Sequence, residues 1–451
     1  MDASLLFRLL SCEKARYLHA CGEAPRKEKK REPIVSPSVM REVQKWFNSL
    51  FSHPLSFKKA SYKDFSVFVD RIAQNKNSFE LSKPLFSSEP YSAAINEMAL
   101  AIWILEKRCM KIDKAFVYYI DKEYVKEGDL NFDKLFIKRD VTKKVYNRYF
   151  HITDKLGEGA DASKLCDLDL ACPYAHICFA DIPKYSILNM AGLSKELKTA
   201  LFRQNILNPA DIPESLLSDY QKIQIKCDKT KKAHIDFDAL KSFIDEIKYP
   251  IYFLDFEAIH YAAPIFDKLK PFDALAFQFS LHTLTSSKSR LKHDEFIAEC
   301  DIDARSQIAE KLCDLIGDEG SVIAYGAQFE KAVIKGLADL FPSRRTKLLS
   351  IFARIVDLSI AFEKRWYYHA NMRGSHALKA VAPAMIRGAS YDGEVKNGAE
   401  AVESYLAMHS ANEQNRRRLR RELLNYCKKD TECLVKIYRK LVRLTQPKRK
   451  V

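Results

Sequence analysis

The sequence predicts an α/β chain in which two mixed domains flank a helical connector. Three observations carry this. The 451 residues exceed one typical domain and favour two or three. Apolar spacing switches between the helical period and the alternation of strands in both halves of the chain. From Tyr249 onward three strand candidates, PIYFLDFEAI, ALAFQFSLHTL and HDEFIAE, follow one another before a helix (ARSQIAEKLCDLIG) and a further strand (SVIAYG), the pattern of a sheet with an antiparallel start.

In chain order, residues 1–183 read as one α/β unit. It opens on an amphipathic helix and continues through a basic run, Arg26 to Arg31, expected as a loop. SVFVDRIAQNKNSFELSKPL reads as a strand pair around a turn-rich QNKNS. AAINEMALAIWILEKR, Ala93 to Arg108, has helical spacing, and KAFVYYI is the next strand. Residues 184–248 read as short helices and turns, the connector. Residues 249–451 form the second mixed domain, ending on the short basic tail Lys448 to Lys450.

Lys and Arg number 74 against 59 Asp and Glu, a formal charge of +15. That excess points to a polyanion, nucleic acid before an acidic membrane surface. No apolar run approaches the ~20 residues of a membrane span. The opening MDASLLFRLLSCEKARYLHACG is interrupted by Arg8 and lacks a small-residue cleavage site. Eleven cysteines, an odd and scattered count, do not make a disulfide framework. The chain is therefore expected in the cytoplasm.

Asp255 and Glu257 lie within Ile251-Tyr-Phe-Leu-Asp-Phe-Glu. On a strand they share a face, and their apolar flanks imply a central strand. Two like charges on a buried face repel and lose hydration unless a cation offsets both. Hard oxygen ligands there suit Mg²⁺ or Mn²⁺; the alternative is a strand end reaching solvent or an Arg. Further on, Leu419, Leu423, Tyr426, Asp430, Leu434, Ile437 and Leu441 make one helical stripe, apolar except at Asp430 and with Tyr426 one turn before it. A carboxylate there needs a partner: a metal, a neighbouring element to cap, or an Arg from the run Arg416 to Arg421.

Together the two sites resemble the tyrosine-containing subgroup of the DEDD superfamily of RNase H-like 3′–5′ exonucleases. That family has Asp-x-Glu on its first strand, Asn-x-x-Phe-Asp between, and Tyr-x-x-x-Asp on a late helix. Here the middle stretch is Gly326-Ala-Gln-Phe-Glu330, so Glu330 stands for Asp and Gly326 for Asn. The resemblance implies Asp255, Glu257, Glu330 and Asp430 as ligands of two Mg²⁺ or Mn²⁺ ions, with the Tyr426 hydroxyl orienting the attacking water. Glu330 has a rival in Asp357, and an alternative role as a charge favoured at a helix N-terminus. His260, Gln278 and His282 either line the site or are core and edge polar residues. Gly374-Ser375-His-Ala-Leu-Lys379 either brings a lysine to phosphate or opens an ordinary capped helix.

In the N-terminal half, Cys166, Cys172 and Cys178 are compactly spaced, and clustered thiolates suit a soft-metal or iron–sulfur site. Cys12 is the candidate fourth ligand. The order resembles the RecB-like, CRISPR-associated nucleases of the PD-(D/E)XK superfamily, in which one N-terminal and three C-terminal cysteines hold a [4Fe–4S] cluster. Their nuclease centre needs an Asp, then Glu-x-Lys on the next strand. Asp70 and Glu80 fit, but Ser82 occupies the lysine position. Lys83 comes one residue late, which on a strand turns it to the opposite face. Ala101 stands where a polar Gln is expected on the following helix. This centre reads as degenerate.

The combination, with the Phe-Gln-Phe-Ser-Leu-His stretch, SYDGEVKNG and LLNYCKKDT, resembles one bacterial family coupling an iron–sulfur RecB-like region to a DEDD-type exonuclease domain. It implies a divalent-metal-dependent nuclease, a 3′–5′ exonuclease on a single-stranded DNA or RNA end. Two alternatives stand beside it: a nucleic-acid-binding scaffold with both centres decayed, and a nuclease acting through the N-terminal centre.

Overall fold

The computed structural model describes residues 3–26, 33–51, 54–55, 59–75, 78–155, 172–183, 185–300, 302–389 and 393–446. It is a mixed α/β protein of two compact units. The first comprises Met1–Ile182 together with His260–Asp273, and the second comprises Pro183–Ile259 with Ala274–Val451. No described helix is long and apolar enough to cross a membrane.

The first unit opens on helices α1 (Ala3–Ser11) and α2 (Glu13–Ala20), with Cys12 at the junction. Its sheet runs in chain order: β1 (Pro54–Leu55), β2 (Arg71–Asn75), β3 (Ser78–Leu85), β4 (Ile112–Ile120) and β5 (Phe136–Asp140). Only β3 and β4 pair in parallel, so a crossover must join them. The crossover carries α3 (Ser92–Glu106), which buries ten residues between Ala94 and Leu105, all but Asn96 and Glu97, and has no consistent polar face. That is the pattern of a helix sunk in a core. The expected strand pair forms, but Asp70 falls just before β2 instead of within it.

The stretch from His260 to Asp273 belongs to this first unit although the strands around it do not. The Tyr261 region bridges Ile34, and Lys126, Lys268 and Lys270 pair with Asp267, Glu127 and Glu123 across the fold of this unit.

In the second unit the sheet order is β8-β7-β6-β9-β10, built from β6 (Ile251–Ile259), β7 (Leu275–Leu284), β8 (Lys292–Ile297), β9 (Ser321–Ala324) and β10 (Ile355–Asp357). The first three strands are antiparallel, and β9 and β10 add in parallel on the other side of β6. Strand β6 is thus central, as its unbroken apolar flanks require. Its neighbour β9 pairs only with Ile251 to Phe253 and then stops. The distal half of β6, with Asp255 and Glu257, runs on past the carboxyl end of β9, where open α/β sheets form crevices.

Four helices matter here: α4 (Gln328–Leu340) after β9, then α5 (Leu378–Met385), α6 (Gly398–Ala407), and α7 (Glu413–Thr445), whose 33 residues span ~50 Å. The segment 184–248, expected as a connector between domains, instead packs within this unit. Leu240, Phe243, Ile244 and Ile247 bury their side chains in the same core as Phe253, Leu434 and Leu441. Their amphipathic helix needs a partner surface, and that surface is the sheet's own.

Gly320, in the turn before β9, has φ +84°, and a Cβ there would lie 1.8 Å from the Pro250 carbonyl oxygen. The strain of a left-handed side chain adds to a backbone clash, so Gly320→Ala is expected to destabilise the chain by about 2–5 kcal/mol. A denaturant titration measures it; a loss below about 1 kcal/mol contradicts this packing of β6 against β9.

Candidate functional site

Alternation along β6 sends Asp255 and Glu257 to one face, and α7 crosses that face. The predicted stripe of α7 is buried at Leu423, Tyr426, Asp430, Leu434, Ile437 and Leu441. Asp430 therefore meets the strand. Carboxylate oxygens of Asp255, Glu257 and Asp430 lie within 4.8 Å of one another. Among the described residues this is the group of three or more His, Cys, Asp or Glu side chains that converges so closely.

The price of that convergence is electrostatic. Burial, followed by the charge of Asp430, pushes the Glu257 carboxyl up to about 8, against a partial offset from Lys379. Asp255, the one partly open residue of β6, is held well above the carboxylate range by its surroundings and by Asp430, Glu257 and Glu330. The Cys427 thiol lies 3.3 Å from Asp255 Oδ2 and works the other way, lowering it as a donor.

Glu330 sits on the first turn of α4 and is 3% exposed. It is not in the close trio, but its charge acts on both Asp255 and Glu257. Burial pushes it up to about 8 as well, and its Oε2 has no hydrogen-bond partner. A buried orphan oxygen beside three crowded carboxylates is the environment a divalent cation satisfies, so the donor set fits a hard metal. The rival Asp357 is already used. Its two oxygens accept from the backbone amides of Gly326 and Ala327, each at 2.9 Å, and Oδ1 also accepts from Ser359. It fixes the turn that delivers Glu330. Gly326 there has φ +71°, a conformation Gly and Asn both tolerate.

The arginines Arg417, Arg418 and Arg420 pair with Glu413, Glu394 and Glu299, away from Asp430. His282 donates to or accepts from Thr431 Oγ1 at 2.8 Å, and Ser280 bonds the same hydroxyl at 2.8 Å. Burial and the nearby His293 push His282 down to about 4, so it is a neutral clamp between β7 and α7. Gln278, opposite Glu257 in register, donates to the Leu423 carbonyl at 2.8 Å. His260 bonds the Phe272 carbonyl in the first unit.

Lys379, near the start of α5, approaches from the side. Its ammonium donates to the Tyr426 hydroxyl at 2.8 Å and lies 4.8 Å from that ring's centre. It also donates to the Lys396 carbonyl, just before α6. Burial and the neighbouring acids raise the Tyr426 phenol, so it stays protonated. The residues Gly374 to Lys379 do bring a lysine to the site, but the pairing of positions 379 and 426 is invisible to local spacing.

In the first unit, Lys83 meets Asp70 at 2.7 Å and Glu97 at 3.3 Å. This corrects the expected grouping: Asp70 shares the side of Lys83, while Glu80, by strand alternation, faces the other way. Burial works to lower the Lys83 ammonium, yet the two acids raise it on balance. Glu97 was missed in the sequence; it precedes Ala101 by one helical turn, and both line the same small pocket. Cys12, Cys172 and Cys178 pack in one small apolar cluster with Leu9, Ala15 and Tyr174, but among the described residues their thiols do not converge as the acidic trio does. Cys166 lies outside the described residues.

Glu257 and Glu330 titrate near 4.5 when unperturbed and near 8 in the fold. Between those values the native state holds more protons than the unfolded one, so stability falls as pH rises from about 4.5 to about 8. The metal-free protein is expected to lose melting temperature over that window, Glu257→Gln to lose less, and Mn²⁺ at pH 8 to restore it. Thermal melts with and without Mn²⁺ check this; identical profiles for wild type and Glu257→Gln contradict it.

A family model described as a domain of unknown function (DUF2779) matches residues 252–377, a stretch holding Asp255, Glu257, Glu330 and Asp357. No curated protein and no solved structure matches the chain.

Proposed function

We propose that the second unit is a divalent-metal-dependent nuclease, a 3′–5′ exonuclease on DNA or RNA, with an RNase H-like fold and a DEDD-type site. The observation that carries this is the convergence of Asp255, Glu257 and Asp430 within 4.8 Å, with protons held against ordinary carboxylate chemistry. Three antiparallel strands followed by two parallel ones agree with the RNase H-like expectation. Asp255, Glu257, Asp430 and Glu330 would hold Mg²⁺ or Mn²⁺. Two such ions, when bound, would neutralise charge on the phosphate and lower the pKa of a water at neutral pH.

The chain's own residues supply orientation. An ammonium only donates, so at this contact the Tyr426 oxygen accepts from Lys379, and the phenol's O–H can serve only as a donor. Tyr426 thus acts as a fixed donor toward the attacking water or a phosphate oxygen, with Lys379 as its positioning residue. The phenol, raised by burial, is no base. Ser280, His282 and Thr431 hold α7 to the sheet and so keep Asp430 and Tyr426 in place. The first unit is read as a PD-(D/E)XK-like module closed by a [4Fe–4S] cluster on Cys12, Cys166, Cys172 and Cys178. Its Lys83 is neutralised by Asp70 and Glu97, which supports binding or stability before cleavage.

With 5′-labelled single-stranded DNA and RNA and Mn²⁺, wild type is expected to give a ladder shortening from the 3′ end. Asp255→Ala should cut at least about 100-fold more slowly, since even outer-shell losses at metal sites cost 10–100-fold. Undiminished cutting by Asp255→Ala moves the chemistry elsewhere, and absence of cutting in wild type favours a binding scaffold. Lys379→Met should lower kcat roughly 10–100-fold with KM little changed, and Lys379→Arg should retain most of it. Equal losses in Lys379→Met and Lys379→Arg contradict the donor role.

A further inference from the structure

Away from the carboxylates, the second unit carries a groove of about 890 Å³ at the C-terminal end of α7. Arg387, Lys436, Arg439, Lys440 and Arg443 line it, and none of its described lining residues is acidic. We propose that this groove binds single-stranded nucleic acid through its phosphates. The inference rests on the nucleic-acid half of the reading above and not on cleavage.

The contrast within α7 carries the argument. At its N-terminal end Arg417, Arg418 and Arg420 each meet a glutamate. At the other end Arg439 and Arg443, joined by Arg387 from the turn after α5, are exposed, and among the described residues they form no ion pair. Lys436 has only a loose contact with Glu432, 3.8 Å, and Lys440 donates to the Met385 carbonyl. Three cations at one end of the helix thus meet acids of the chain itself, whereas those lining the groove are left to an outside anion. Positions 436, 439 and 443 recur along one face every ~4.5–6 Å, near the step between phosphates of an extended strand. Tyr249 is 36% exposed on the groove wall, a platform on which a base can stack. An acidic protein segment or a membrane surface would meet the same charge, but the stacking ring and the narrow tract of cations favour a single strand.

The groove begins ~9 Å along α7 from Asp430 and extends to ~20 Å at Arg443. Tyr249 likewise precedes Asp255 by six residues, at most ~20 Å of extended chain. A strand held here lies a few nucleotides from the metal trio, so the groove would set affinity and grip without touching the reacting atoms.

Fluorescence anisotropy of a labelled oligonucleotide in EDTA, over a salt series, tests this with the triple variant Arg387→Glu/Arg439→Glu/Arg443→Glu. The milder Arg→Gln triple is measured beside it, with melting curves for each. Binding is expected to weaken roughly tenfold or more, and the slope of log affinity against log salt to fall by about 2 for three phosphate contacts. Unchanged affinity and slope in both folded triples overturn the proposal. So does a lowered melting temperature with an unchanged slope, because that is the signature of cations serving only the helix dipole. Binding of phosphatidylserine vesicles that the oligonucleotide does not displace overturns it too. Loss of binding in the triples with no cutting by wild type removes the nuclease reading and keeps the groove; cutting with unaltered binding does the reverse.

Discussion

Like-charge crowding at one end of β6 is the constraint on which this site depends. Asp255 and Glu257 must share a face because they are two apart on a strand, and α7 lays Asp430 against them because its apolar stripe has to be buried. Neither element can relax without exposing its core. The fold therefore holds three carboxyls, with Glu330 nearby, where proteins ordinarily avoid even two. Protons relieve the repulsion in the free protein, and a divalent cation is the chemical replacement for those protons.

The surrounding polar groups make sense as supports for that arrangement. Asp357 spends its oxygens on the turn before α4 and so aims Glu330 inward. Thr431, next to Asp430, is pinned by Ser280 and His282, and Gln278 ties the Leu423 carbonyl to β7. The Lys379 ammonium acts on Glu257, and it approaches by way of Tyr426. A buried cluster of this kind is expensive, and its neighbours are arranged to preserve it and not to cancel it.

Periodicity made much of this legible. The alternation around Asp255 and Glu257 and the stripe through Tyr426 and Asp430 each place their carboxylate on a core-facing side, and the structure brings the two sides together. What periodicity does not carry is pairing between distant residues. Lys379 and Tyr426 meet only because two helices pack side by side on a sheet, and Lys83 and Glu97 only because a helix packs on a strand. The same reason hid the assignment of 184–248 to the second unit and of His260–Asp273 to the first. An amphipathic helix announces that it needs a surface, without naming which one. Asp70 and Lys83 show the converse: a one-residue slip separates Lys83 from Glu80, and its partners are Asp70, just before β2, and Glu97, from a helix.

The central claim is that this carboxylate corner is a cation site. Electron paramagnetic resonance of added Mn²⁺, which loses its free-ion signal on binding, counts ions held by wild type and by Asp430→Asn at pH 8. The account predicts up to two ions bound per chain in wild type and at least one lost in Asp430→Asn, with the fold intact by circular dichroism. Equal Mn²⁺ binding by both proteins, or none by wild type, contradicts it.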